Sequence, residues 1–132
     1  ETPMTNALKI ETFPYFFAIA KIRNPASINW KSPFVFVGKT DDELSLVALE
    51  SEVPSDAYPV DRGYRMMRVA GTLDMSLTGI LARISKVLAD EEIPIFAVST
   101  YNTDYILVKS HTFKNAVQAL SRAGYLVTNE IS

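Results

Sequence analysis

Across residues 64–128 the hydrophobic pattern runs strand, helix, strand, strand, helix, strand. This order limits the folds open to the chain more than any other feature. Arg65, Met67 and Val69 alternate with Tyr64, Met66, Arg68 and Ala70, a two-residue period that predicts a strand, and Gly71 breaks it. Leu77, Ile80, Leu81, Ile84 and Leu88 then recur with helical spacing, and Asp74 or Ser76 is placed to cap the start of that helix. Pro94 opens a second strand over 95–100. Asn102, Thr103 and Asp104 are turn formers, and the apolar run 105–109 returns as the other arm of a hairpin. Phe113, Ala116, Val117 and Leu120 form a second helical stripe that Gly124 ends, before a last strand over 125–128. A β-α-β-β-α-β order of this kind closes as a split βαβ unit, with both helices on one face of an antiparallel sheet.

The first half is less regular. Residues 16–22, 34–37 and Leu44–Leu49 read as strands, and Pro25, Pro33, Pro54 and Pro59 interrupt any long helix. An internal repeat links it to the second half. Residues 33–48 align without a gap on 94–109 at an offset of 61, matching Pro33 with Pro94, Val37 with Val98, Leu46 with Leu107 and Val47 with Val108. The alignment predicts a second hairpin and a first copy that lost its helices. The division expected is a degenerate unit over 8–62 and a complete one over 63–132, joined through the stretch 52–63.

Composition narrows the chemistry. A formal net charge of −2 argues against a phosphate-backbone binder. The chain has no cysteine and one histidine, His111, so disulfides, thiolate metal sites and Cys–His or Ser–His catalysis lack their parts. No apolar run approaches the roughly 20 residues of a membrane span. Asp41, Asp42 and Glu43 lack the spacing of a calcium loop and suit a solvated hairpin turn.

The run from Ser99, Thr100, Tyr101 and Asn102 through Thr103, Asp104, Tyr105 and Ile106 to Leu107 and Val108 resembles the signature of the tandem-ACT family. That family includes the CASTOR cytosolic arginine sensors and many small bacterial proteins. Ser76, Leu77, Thr78, Gly79 and Ile80, then Pro94, Ile95 and Phe96, then Thr40 to Ser45 in the first half, fit the same family, and the resemblance covers residues 33–127. It implies an α+β, ferredoxin-like split βαβ fold, with two ACT-like units of which the first is degenerate. It also implies a cytoplasmic regulatory module that binds an amino acid where a loop meets a neighbouring unit, acts as a homodimer, is not an enzyme and needs no cofactor. An effector protein would receive its signal. The alternative is a structural or interaction module that kept the pairing surface and lost the ligand.

Two groups of residues would make the site. The loop carrying Asp74, Ser76, Thr78 and Gly79 precedes a helix whose first amides are unpaired and partly positive, suited to a carboxylate. Gly79 serves equally to let that helix pack closely on the sheet. Ser99, Thr100 and Asp104 flank the hairpin turn, and on the resemblance Asp104 is the carboxylate that receives a cationic group. The same residue types also make an ordinary Asx turn.

Overall fold

The structure, a computed structural model, describes residues 8–70 and 78–130. The elements are β1 (Lys9–Thr12), β2 (Phe17–Lys21), β3 (Val35–Lys39), β4 (Leu44–Leu49), β5 (Val60–Ala70), α1 (Ile80–Asp90), β6 (Phe96–Ser99), β7 (Asp104–Lys109), α2 (Ser110–Arg122) and β8 (Leu126–Glu130). They form two compact units. One holds Tyr15–Tyr64; the other holds residues 8–14 and 65–130, so β5 gives its first half to one unit and its second half to the other.

The C-terminal unit is the expected β-α-β-β-α-β chain, with its sheet ordered β6-β7-β5-β1-β8. Met67 and Val69 of β5 and Ile106 and Val108 of β7 face the same way. They meet Ile84 and Leu88 of α1 and Ala116 and Leu120 of α2 in one buried cluster. Both helices end in the same way. The amides of Ile93 and Tyr125 return to the carbonyls of Leu88 and Leu120, around left-handed residues Glu92 (φ 60°) and Gly124 (φ 102°). Gly124 meets the sequence expectation. Glu92 occupies a conformation that favours glycine, and its neighbour Ile93, buried in the core, accompanies it there.

The strand β1 has no counterpart in the sequence reading, which gives residues 8–62 to a first unit. It pairs antiparallel with β5 (Ile10↔Val69) and parallel with β8 (Ile10↔Val127), and so separates the two strands that a four-stranded split βαβ sheet would join. Two arginines of β5 fix it from opposite faces. Arg65 donates from Nε (3.2 Å) and Nη2 (2.7 Å) to the Phe13 carbonyl and lies 4.1 Å over the Phe113 ring. Arg68 donates to Glu11 Oε1 at 2.7 Å and stacks on Phe13 and Tyr105. Burial works against the charge on Arg68, but bonding to Tyr105 and Glu11 outweighs it and raises its pKa.

The N-terminal unit has strand order β3-β4-β2-β5. This is the order of the C-terminal unit without the intercalated strand. Its two crossovers carry only single 3-10 turns, Pro25–Ser27 and Glu50–Glu52, where the other unit has α1 and α2. The second hairpin is present, but the geometry corrects its register. Thr40 donates its amide to the Glu43 carbonyl at 2.9 Å and Thr100 donates to Thr103 at 2.8 Å, so the turns correspond at an offset of 60, not 61. The buried triplets agree, Leu46, Val47 and Ala48 against Ile106, Leu107 and Val108. A one-residue slip in a strand turns every side chain to the other face. The sequence identities at offset 61 therefore match residues of opposite faces. The acidic run is a turn, as expected, with the Asp42 and Glu43 amides on Thr40 Oγ1.

Where β5 enters, Tyr64 donates its hydroxyl to Asp61 Oδ2 at 2.7 Å. Burial, then the bond to Asp61 and its negative charge, push the Tyr64 hydroxyl up to about 12. The native state thus holds this proton more tightly than the unfolded chain does. The stabilisation is complete below pH 10 and is lost as pH rises through about 12. Spectrophotometric titration should show one of the six tyrosines ionising late, and Tyr64→Phe should remove that late step. If all the tyrosines of the wild type titrate together near 10, the Asp61 bond does not hold in solution.

Candidate functional site

The structure brings one half of the expected site to the end of the C-terminal sheet where β5 stops. Asp104 lies two residues before Ile106 on β7 and so shares its face, the face that α1 and α2 cover. Ser99 is its cross-strand partner in β6, and the Ser99 hydroxyl donates to Asp104 Oδ1 at 2.5 Å. The carboxylate therefore has one oxygen engaged. Thr100 sits in the turn, with its hydroxyl on the Thr103 carbonyl at 3.0 Å and its Oγ1 accepting the Thr103 amide at 3.3 Å. Thr100 acts here as a turn residue.

The second half of the expected site is Thr78 and Gly79; Asp74 and Ser76 lie outside the described residues. The expectation that Asp74 or Ser76 caps the helix therefore lies outside them as well. The helix starts at Ile80, its N-cap position is Gly79 in the left-handed conformation (φ 74°), and among the described residues no side chain caps it. Gly79 is required for that backbone angle, since a Cβ would meet only the end of the Arg83 side chain, at 3.2 Å. Arg83 in turn donates from Nη1 to the Thr78 carbonyl at 3.1 Å. Gly79 offers the first-turn amides of α1 no side chain, and a helix N-terminus carries partial positive charge.

Connectivity puts the two halves at one end of the sheet. The chain leaves β5 at Ala70 and returns through α1, whose C-terminal end leads by Ile93 to β6 at Phe96, the end of the hairpin away from its tip. The N-terminus of α1 therefore points towards the tip. Two further residues belong to this end. Thr103 donates its hydroxyl to the Val69 carbonyl at 2.7 Å and pins the tip to β5; Lys9, exposed, opens β1 opposite Ala70. The sequence marks Thr103 only as a turn former and carries no sign of Lys9, because the strand that places Lys9 arrives from outside the β-α-β-β-α-β run. Among the described residues no group of acidic or histidine side chains could hold a metal ion, and no helix is long and apolar enough to cross a membrane.

The split βαβ sheet with both helices on one face is a ferredoxin-like α+β fold of the ACT type, and the comparisons agree. Residues 60–122 match the family model described as ACT domain. Protein Atu0741 from Agrobacterium tumefaciens is 30% identical, with a TM-score of 0.86 over 99% of this chain and 97% of that one. The chain belongs to one family with that Agrobacterium protein, and it carries an ACT domain. The fold alone is shared with two further structures. The regulatory subunit of aspartate kinase from Thermus thermophilus is 11% identical, with a TM-score of 0.59 over 86% of this chain and 95% of that one. The aspartate kinase of Clostridium acetobutylicum, described as an allosteric enzyme, is 14% identical, with a TM-score of 0.69 over 93% of this chain; the match spans 36% of that longer chain. No curated protein matches the chain by sequence.

Proposed function

We propose that this chain is a regulatory module that senses a free amino acid, and that it is neither an enzyme nor dependent on a cofactor. The observation that carries the reading is the pairing of opposite polarities at one sheet end. The N-terminal amides of α1 suit the ligand carboxylate, and the Asp104 carboxylate, held by Ser99, suits an ammonium or another cationic group. Thr78 and Gly79 border the first pole and Ser99 and Thr100 the second; Asp74 and Ser76, outside the described residues, are assigned to the first pole from the sequence alone. A neighbouring ACT unit, supplied in a cytoplasmic homodimer, completes the site in this reading, as the resemblance to the CASTOR-like tandem-ACT proteins implies. The regulatory subunit with the same fold supports a role in which binding is passed to a partner protein.

The test is a thermal-shift screen against the twenty amino acids. A ligand that binds only the folded state stabilises it by about 2.7 kcal/mol at a concentration 100 times its Kd. A shift with one amino acid or one chemical class is expected. A flat response to all twenty at millimolar concentration would favour the second reading, an interaction module that has lost its ligand. One observation leans that way: Ser99 already occupies an oxygen of Asp104.

A further inference from the structure

The homodimer in the reading above leaves its surface open, and the N-terminal unit offers one. With no α-helix in its crossovers, this unit packs two loops on one face of its sheet. Ile28 of loop 23–34 and Ala57 of loop 50–59 pack on the same side of the sheet, with Leu46 and Ala48 beneath them. Each loop presents a large aromatic to solvent: Trp30 is 66% exposed and Tyr58 74% exposed. Such side chains are enriched at the centres of protein interfaces.

The charges of the two loops are opposite and unmixed. Loop 23–34 carries Arg23 and Lys31 and no acid; loop 50–59 carries Glu50, Glu52 and Asp56 and no base. Among the described residues Arg23, Lys31 and Asp56 form no ion pair, although all three are exposed. Two of the sheet edges are poorer candidates: β6 is four residues long and β3 ends in the exposed Gly38 and Lys39, and short strands and edge lysines blunt edge pairing; the edge at β8 is the alternative that the test below separates.

We propose that two copies of this chain associate face to face through these loops. In a closed two-fold dimer the same patch meets itself. A two-fold axis lying parallel to the strands, between the loops, sets the basic loop of each copy against the acidic loop of the other, so Arg23 and Lys31 face Asp56. Trp30 and Tyr58 then become buried at the centre. The partner is a second copy because each loop finds its complement on the same chain.

The proposal rests on the homodimer of that reading, but the experiment uses the whole chain and needs no ligand, so it is separate from the amino-acid screen: a dimer through another surface overturns this proposal and leaves that reading standing. Mass is measured by light scattering from about 1 to 100 μM, and the fluorescence of Trp30, the single tryptophan, is followed over the same range. The wild type is expected to be dimeric, with Trp30 emission moving to the blue as it forms. Lys31→Glu or Asp56→Lys alone should weaken the dimer at least tenfold and keep the emission red, and the double variant should restore both. A monomeric wild type overturns the proposal. So does a dimer whose mass and emission ignore the single reversals, which is the result for association through a sheet edge, and so does a double variant that stays dissociated.

Discussion

Ile10→Ala is expected to destabilise the C-terminal unit by about 2–5 kcal/mol, the cost of emptying a core site of this size. Ile10 has no exposed surface and packs in the cluster of Met67, Val69, Ile84, Leu88, Ile106 and Leu120. Its neighbours on both sides are strands of the same sheet, so the hole cannot close without breaking pairs on β5 or β8. Urea unfolding followed by far-UV circular dichroism reads this unit selectively, because both α-helices lie in it. Leu126→Ala, at a position 56% exposed on β8, serves as control and should move stability by no more than about 0.5 kcal/mol. A cost for Ile10→Ala as small as that of the control would mean that β1 lies on the sheet without belonging to its core. On the same argument a fragment of residues 63–132, the complete unit proposed from sequence, should lack a cooperative transition, since it leaves out Ile10 and the acceptors of Arg65 and Arg68.

Asp104→Asn is expected to weaken binding of the best amino acid from the screen by roughly ten- to a hundredfold. The change keeps the shape of the side chain and its acceptor for the Ser99 hydroxyl, and it removes the full negative charge. A hydrogen bond to a charged group contributes about 1.5–3 kcal/mol, and 1.4 kcal/mol corresponds to tenfold in affinity. Asp104 lies at the end of its strand, only partly buried, so the variant should unfold at nearly the wild-type urea concentration. Isothermal titration of both forms separates binding from folding. Equal affinities would remove Asp104 as a direct contact and leave the α1 amides as the one charged pole of the site.

The periods in the second half predict β5, α1, the β6–β7 hairpin, α2 and β8 because each helix buries one face and residues with turn and helix-stop chemistry separate the elements. A buried face leaves a period that can be read. Residues 99–108 likewise carry their turn chemistry locally, so the Thr100 turn and the place of Asp104 next to it are written in the chain. The Schellman end at Gly124 is legible for the same reason, while Glu92 takes the equivalent conformation with no residue type to announce it.

Tertiary structure decided the rest. Four residues of β1 are too few to show a period, and their place between β5 and β8 depends on partners more than 50 residues away, such as Arg65, Arg68 and Thr128. The repeat offset is fixed by which Thr closes each turn, whereas apolar identities one residue out of register look equally good in a sequence because neighbouring positions of β4 and of β7 are buried on both faces. The start of α1 at Ile80, after the left-handed Gly79, was likewise not announced by the helical spacing, which begins at Leu77 in the sequence. The sequence determined the local periods and turns of the ACT unit by itself; the three-dimensional pairing chose the strand that completes its sheet, because that choice is made by contacts no local pattern records.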